Sequence, residues 1–406
     1  MNLYSKRRQL LTNNLKDGAI AILFSSDNEY DPENGFKVNR NFYYLTGIDA
    51  KDMILVLANK NGALEEKIFI EPYDEIEARW VGGRMKEEEV TKISEIEDVQ
   101  NINSFKDTLD YYFDRSRAYE FTFYLDLFQK EIGNSLAQTF AVDFKEKHPD
   151  VVIKDVFKYV AELRLVKDEY ELTCMSRAIE ITNYGIKAMM KAIRPGLNEM
   201  VMEGMFNLAL SQNVCNETSF KTIAASGKRA TILHYSENKE VMQDGELFLQ
   251  DLGATFRHYC ADITRTYPVN GKFTERQKEI YQLVLNAQKL VETNAKPGVN
   301  IRDLNKLVVE YYRRELPKHG LDKDVSEYYY HSVSHHIGLD CHDADGGLGL
   351  ILKEGNVISN EPGLYIADEG IGIRIEDDLL ITKDGAFNMS KDIIKEVSDI
   401  ENFMKH

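Results

Sequence analysis

Glu169 to Ile193, then Arg194-Pro195-Gly196, then Glu199 to Leu210; Glu275 to Ala295, then Lys296-Pro297-Gly298, then Arg302 to Leu316: the second half of the chain follows one pattern twice. Each copy begins with a long stretch of helical spacing, stops at a basic residue followed by Pro-Gly, and resumes as a shorter amphipathic stretch. Proline cannot continue a helix and glycine readily takes the left-handed conformation that ends one. In both copies strand-like segments follow. The recurring order of helix, stop, helix and strands predicts a duplicated unit and an α/β (α+β) architecture with internal pseudo-twofold repeat.

The strands after each stop carry paired acids. In the first copy Leu247-Phe248-Leu249-Gln250-Asp251 precedes Cys260-Ala261-Asp262-Ile263-Thr264-Arg265-Thr266. A hairpin turning at Phe256-Arg257 sets Asp251 opposite Asp262, and opposed residues share a face. In the second copy a turn at Asp368-Glu369 sets Glu361 opposite Glu376. Along Ile371 to Ile375 the isoleucines take one face and leave Gly372, Arg374 and Glu376 on the other. A single such acid reads as part of a solvated strand face. The recurrence in both copies, among apolar neighbours, instead places four carboxylates inside the protein, where uncompensated charge is very costly.

Four of the nine histidines fall in His331-Ser332-Val333-Ser334-His335-His336-Ile337-Gly338-Leu339-Asp340-Cys341-His342, far more than an even scatter gives. Helical HExxH and GxSxG motifs are absent, which argues against a zincin or a serine triad. Cys341 beside His342 is a weaker candidate nucleophile. Gly346, Gly347 and Gly349 lack the strand and helix that frame a phosphate cradle and read as loop. Four carboxylates and an imidazole suit two hard or borderline divalent cations. Water held between two such ions loses a proton near neutral pH and attacks a carbonyl, so the chemistry indicated is metal-assisted hydrolysis.

The first 150 residues have a different texture. Ala19 to Phe24, Met53 to Leu57 and Lys67 to Ile70 are short apolar runs typical of buried strands, and Lys86 to Asp98 suits exposed helix. His148-Pro149-Asp150 punctuates this part and Asp155 to Lys167 reads as a connection. The boundary is set near residue 160, giving a smaller mixed α/β domain at 1–160 and a larger one at 161–406. Over the 406 residues, 50 Lys and Arg face 67 Asp and Glu, a net charge of −17. That balance disfavours nucleic acid, which is bound by neutralising phosphates. The four cysteines form no CxxC pair and fit reduced thiols in a cytosol. Lys6, Arg7 and Arg8 lack the apolar run of a signal peptide, and no stretch is long enough to span a membrane. A cytoplasmic protein is expected.

Asp251-Leu252-Gly253, Ala261 to Thr266, His331 to Asp343, Asn360-Glu361-Pro362-Gly363-Leu364-Tyr365 and Ile371 to Asp378 together resemble the Xaa-Pro aminopeptidase (aminopeptidase P) and prolidase group of pita-bread metallopeptidases. Asn41 to Gly47 and Glu77-Ala78-Arg79-Trp80 resemble the N-terminal domain that accompanies the catalytic domain in aminopeptidase P. The resemblance implies a C-terminal pita-bread catalytic domain with two divalent ions, most commonly Mn(2+), and hydrolysis between an N-terminal residue and proline by a metal-bridged hydroxide. Asp251 would be the bidentate ligand of one ion, Asp262 and Glu376 the bridges, and His335 and Glu361 the rest of the other ion's shell. Glu361 would also transfer the proton. His234 would contact the scissile peptide, His342 the oxyanion, and His331 the proline side, although Ser332 stands where many members carry Gly. Arg374 and Tyr365 would orient the carboxylates, and Trp80 would lie near the substrate's path. Peptides with proline second are the implied partners, and a homodimer or homotetramer the implied assembly. A prolidase restricted to Xaa-Pro is the alternative, and a non-catalytic binding protein a more distant one, since this chain keeps all five ligand residues.

Overall fold

The computed structural model describes residues 2–405 apart from 28–35, 61, 117–121, 129–134, 216, 344 and 346; Gly346, read above as loop, lies outside the described residues. The chain divides into two compact units, Met1–Arg164 and Leu165–His406.

In the first unit β1 (Ile20–Phe24), β2 (Met53–Lys60), β3 (Ala63–Ile70), β4 (Val99–Asn101), β5 (Thr122–Leu125) and β6 (Val152–Asp155) form one sheet in the order β4-β3-β2-β1-β5-β6. The three central strands are antiparallel and the outer pairings parallel. The apolar runs chosen from the sequence are β1, β2 and the end of β3. Helices α1 (Leu3–Asn13), α2 (Arg40–Thr46), α3 (Glu75–Val81), α4 (Glu87–Ser94), α5 (Phe105–Ser116), α6 (Leu136–Lys147) and α7 (Phe157–Leu165) complete the unit, with α7 occupying the predicted connection. Ile22, Val56, Phe69 and Phe123 of the sheet cluster with Tyr112 of α5 and Phe144 of α6. Arg8, in the basic start of the chain, is fully buried. Its guanidinium meets both oxygens of Glu66 and the carbonyls of Leu45 and Ser94, so each of its three nitrogens has an oxygen partner.

The second unit contains α8 (Glu169–Ala192), α9 (Glu199–Gln212), α10 (Glu275–Asn294), α11 (Ile301–Glu315) and α12 (Val397–Phe403). Its strands are β7 (Ile223–Ser226), β8 (Leu247–Leu252), β9 (Thr255–Phe256), β10 (Tyr259–Cys260), β11 (Ile263–Pro268), β12 (Val357–Asn360), β13 (Gly363–Ile366), β14 (Ile371–Arg374), β15 (Asp377–Thr382) and β16 (Gly385–Asn388). The repeat extends to individual hydrogen bonds. Reciprocal capping boxes start α8 (Asp168 with Glu171) and α10 (Thr274 with Gln277). Gly196 and Gly298 close the Pro-Gly stops at the same φ of 87°. Leu197 and Met242 then exchange backbone bonds with each other's segment as Val299 and Leu352 do, and Asn198 and Asn300 cap α9 and α11. Each copy thus delivers the strand that carries or leads into its first acid, β8 or β12, from the same scaffold. Phe206, Phe248, Ile263, Tyr281, Val284, Ile358 and Ile373 fill the core behind these strands.

The second hairpin has the expected register. Gly363 pairs with Arg374, Ile366 with Ile371 and Asn360 with Asp377, so Glu361 and Glu376 face each other where the ladder between β12-β15 and β13-β14 is interrupted. The first hairpin differs by two residues. Its tight turn is Arg257-His258, at φ 52° and 66°, and Asp251 pairs with Thr264 rather than Asp262. Positive φ at both central residues is what a type I′ two-residue hairpin turn requires. A two-residue shift keeps every side chain on its face, so Asp262 stays on the side of Asp251.

Among the described residues no helix is long and apolar enough to cross a membrane. β14 runs so close to the 3-10 turn at Gly227–Thr231 that glycine is required: a Cβ at Gly372 would lie 2.1 Å from the carbonyl oxygen of Ala230. Gly372→Ala is expected to destabilise the second unit by at least about 1–3 kcal/mol. Chemical denaturation followed by a probe in that unit measures it, and an unchanged midpoint contradicts so tight an approach.

Candidate active site

The interrupted ladders converge from the two copies. Asp251 is the penultimate residue of β8, Asp262 directly precedes β11, Glu361 follows β12, and Glu376 lies between β14 and β15. Asp262 and Glu376 are buried, with 4% and 2% exposure, and Asp251 and Glu361 are partly buried. His335 reaches them from the histidine-rich loop. Its Nε2 is 3.4 Å from Asp262 Oδ2 and 3.4 Å from Glu361 Oε1. Its Nδ1 lies 3.1 Å from the carbonyl of His336, which aims Nε2 at the acids. Ligand atoms of Asp262, His335 and Glu376 all lie within 4.8 Å of one another, a cluster able to hold a metal ion.

Arg374 ties the pocket together from the face shared with Glu376. Its Nη2 donates to Asp251 Oδ2 at 2.6 Å, its Nη1 to the Tyr365 hydroxyl at 2.9 Å, and its Nε to Thr264 Oγ1 at 3.1 Å. Thr264 Oγ1 in turn donates to Glu376 Oε2 at 2.7 Å. One guanidinium thereby fixes Asp251 directly and Glu376 through a hydroxyl.

Burial raises the pKa of Asp251, and the charge of Asp262 adds to it against the pull of Arg374. Burial also raises Glu376 strongly, joined by the charges of Asp262, Glu361 and Asp251. Burial pushes Glu361 up to about 7, with Asp262 and Asp251 adding to it and His335 and Arg374 opposing. For His335 burial disfavours the charge, yet the hydrogen bond to Asp262 and the charge of Glu361 prevail and hold it up at about 9. Four acids thus crowd one arginine and one imidazole. Asp251 Oδ1 is buried without a hydrogen-bond partner. An acceptor-only oxygen in that position, among acids whose charged forms repel, fits a divalent cation.

The other sequence-derived residues distribute as follows. His331 borders the cluster, with Nε2 2.8 Å from the Tyr365 hydroxyl and Nδ1 3.8 Å from Glu361 Oε2. Burial and the nearby charges of Arg374 and His234 lower its pKa to about 4, so its ring is neutral at neutral pH. The exposed His342 stacks on His335 with ring centroids 3.9 Å apart. His234, also exposed, follows β7 and is close enough for its charge to act on His331. His336 turns away, its Nε2 2.8 Å from the carbonyl of Gly349. Trp80 belongs to the first unit, on α3, and is 83% exposed.

Thr264 is a site residue that the acid pattern alone overlooks. The signal was available, since Thr264 stands two residues beyond Asp262 and therefore on its face. Ser359 donates to Glu361 Oε1 at 3.2 Å, and Cys341 Sγ to Asp262 Oδ2 at 2.8 Å. Asp378 accepts from the backbone N–H of Asp262 at 3.3 Å.

Comparison with known proteins identifies the family. Residues 173–383 match the model of metallopeptidase family M24, and residues 4–119 that of the aminopeptidase P N-terminal domain. The Xaa-Pro aminopeptidase of Escherichia coli (strain K12) is 32% identical over 99% of this chain and 97% of its own length. The solved structure of E. coli aminopeptidase P with the inhibitor Pro-Leu superposes with a TM-score of 0.89 at 30% identity, covering 99% of this chain and 97% of that one. A Bacillus anthracis structure, itself provisionally assigned as an aminopeptidase P, reaches a TM-score of 0.95 at 41% identity over 99% and 97% of the two chains. The chain belongs to metallopeptidase family M24, with a pita-bread catalytic domain preceded by an aminopeptidase P-type N-terminal domain.

Proposed function

We infer that this chain is a metallo-aminopeptidase that removes an N-terminal residue from peptides whose second residue is proline. The convergence of Asp251, Asp262, His335, Glu361 and Glu376 carries the reading. Asp251 would help hold one ion and His335 with Glu361 the other, and Asp262 and Glu376 would contribute to both. Manganese is the ion we propose, since an oxygen-rich set with one imidazole suits it. Two divalent ions, when bound, polarise the scissile carbonyl and bring the pKa of water close to neutral.

The chain's own groups do the rest. Glu361 takes the proton from the attacking water and returns it to the departing proline nitrogen. His342 donates to the developing oxyanion and His234 contacts the scissile peptide. His331, neutral and held by Tyr365, lines the proline side. Arg374, Tyr365 and Thr264 hold the carboxylates in their angles. We further propose a cytoplasmic enzyme assembled as a homodimer or homotetramer.

Hydrolysis of Xaa-Pro-Xaa tripeptides is expected to exceed that of Xaa-Pro dipeptides when the manganese-loaded protein is given both. Cleavage of the dipeptide alone would establish a prolidase instead. Asp262→Ala and Glu376→Ala are each expected to abolish turnover and dinuclear occupancy while leaving the circular dichroism unchanged. Thr264→Val, which removes only the hydroxyl on Glu376, is expected to weaken metal binding about 10–100-fold. Full turnover in either alanine variant would refute the assignment.

The pKa shifts also set a pH dependence for metal-free protein. Between the ordinary Glu value of 4.5 and about 7, folded Glu361 retains a proton that the unfolded chain gives up. Stability from this group is therefore lost as pH rises through that window. His335, raised from 6.5 to about 9, extends the loss in the same direction. Melting temperatures of chelator-treated protein are expected to fall from pH 5 to pH 9, and the fall to shrink with manganese bound. A flat metal-free profile would contradict the crowding of charge.

A further inference from the structure

Cys341 is a metal-ligating residue beside the acids that the peptidase reading leaves unused. Its Sγ lies 2.8 Å from Asp262 Oδ2. Sγ and ring nitrogens of His335 and His342 also fall within 4.8 Å of one another. The two rings stack, with 25° between their planes. One sulfur and two ring nitrogens thus lie close together, and Asp262 Oδ2 stands beside two of these donors, 2.8 Å from the sulfur and 3.4 Å from His335 Nε2. The other three cysteines are buried and belong to no such cluster among the described residues, although Cys260 lies near enough for its charge to act on Cys341.

This donor set differs in kind from the oxygen-rich one. Thiolate and imidazole select soft and borderline ions and suit four-coordinate geometry, with zinc bonds of about 2.3 Å to sulfur and 2.0–2.1 Å to nitrogen. Carboxylates and water suit manganese. His335 belongs to both sets, so the two cannot be satisfied at once.

We propose that Cys341, His342 and His335 form a second, soft-ion site beside Asp262, which zinc or cadmium occupies at the expense of the hydrolytic arrangement. The thiol proton leaves as the sulfur–metal bond forms, first to the Asp262 oxygen it already faces and then to solvent. No oxidant or reductant takes part. Soft dications are therefore inhibitors of this protein through Cys341. Competition with the hard ions rests on the dinuclear reading above, whereas sulfur ligation does not.

The test titrates manganese-loaded, full-length protein with cadmium chloride, beside the Cys341→Val and Cys341→Ser variants. Three signals are read: thiolate-to-cadmium charge-transfer absorption, free manganese by electron paramagnetic resonance, and peptidase activity relative to each protein's own manganese level. The parent protein is expected to develop the absorption to saturation at one cadmium per chain, with release of manganese and loss of activity at the same ratio. Both variants are expected to lack the absorption and to need on the order of tenfold more cadmium for equal inhibition. No absorption in the parent, or the same absorption in both variants, overturns the site. Absorption without manganese release overturns the overlap. Absorption with manganese release in a protein inactive on every proline peptide would leave the site standing and sink the peptidase reading, so the two fail separately.

Discussion

The architecture of the second unit answers to one electrostatic constraint: four carboxylates share a space that water does not screen. Like charges so placed repel by several kcal/mol unless countercharge is built in or bound. The chain supplies only part of it. Arg374 spends its guanidinium on Asp251, Thr264 and Tyr365, and His335 faces Asp262 and Glu361. The remaining imbalance appears as upward pKa shifts on Asp251, Glu361 and Glu376. Cations bound to the acids remove the imbalance without adding protein charge, so metal binding and correct folding of the pocket are thermodynamically linked.

Much of this was legible because duplication repeats its own evidence. A single Pro-Gly stop is weak, but Gly196 and Gly298 end their helices alike and deliver β8 and β12 alike. The hairpin through Asp368-Glu369 was legible to the residue, since its isoleucines alternate without interruption. The hairpin after Asp251 was not. Arg257 and His258 both adopt positive φ without being glycine or asparagine, so composition gave no sign of the true turn centre. The error of two residues was harmless to the site only because strand faces repeat every second residue.

Other features escaped because tertiary contacts decide them. Arg7 and Arg8 look like an exposed basic start, yet both are buried, and Arg8 joins Glu66 to two carbonyls far away in sequence. Thr264 carries no charge and no distinctive motif, but its hydroxyl transmits the orientation of Arg374 to Glu376. A residue of that kind is recognised by its two partners, and those lie in the other copy of the repeat. Its importance is a property of the packed pair of hairpins.

Glu376-Asp377-Asp378 shows most clearly how a local pattern can mislead. Three consecutive acids normally mark a solvated turn, and here all three are buried at 2% exposure or less. Strand geometry separates them. Glu376 faces the pocket, and Asp377 turns to the other side to meet Arg265 and Asn388, also pairing with Lys395. Burial opposes the charge of Asp377, but these partners keep its pKa below the ordinary value. Asp378 returns to the pocket side, where burial and Asp262 raise its pKa and where it accepts from the Asp262 backbone. Two adjacent carboxyls of one type are thus driven in opposite directions by the face on which each falls. Arg265 reinforces the division, because it also donates to the backbone carbonyl of Glu376 at 2.5 Å and so fixes the strand at the point where its side chain enters the pocket. The acid that faces the pocket is held from behind by the same arginine that pairs with its neighbour on the other side.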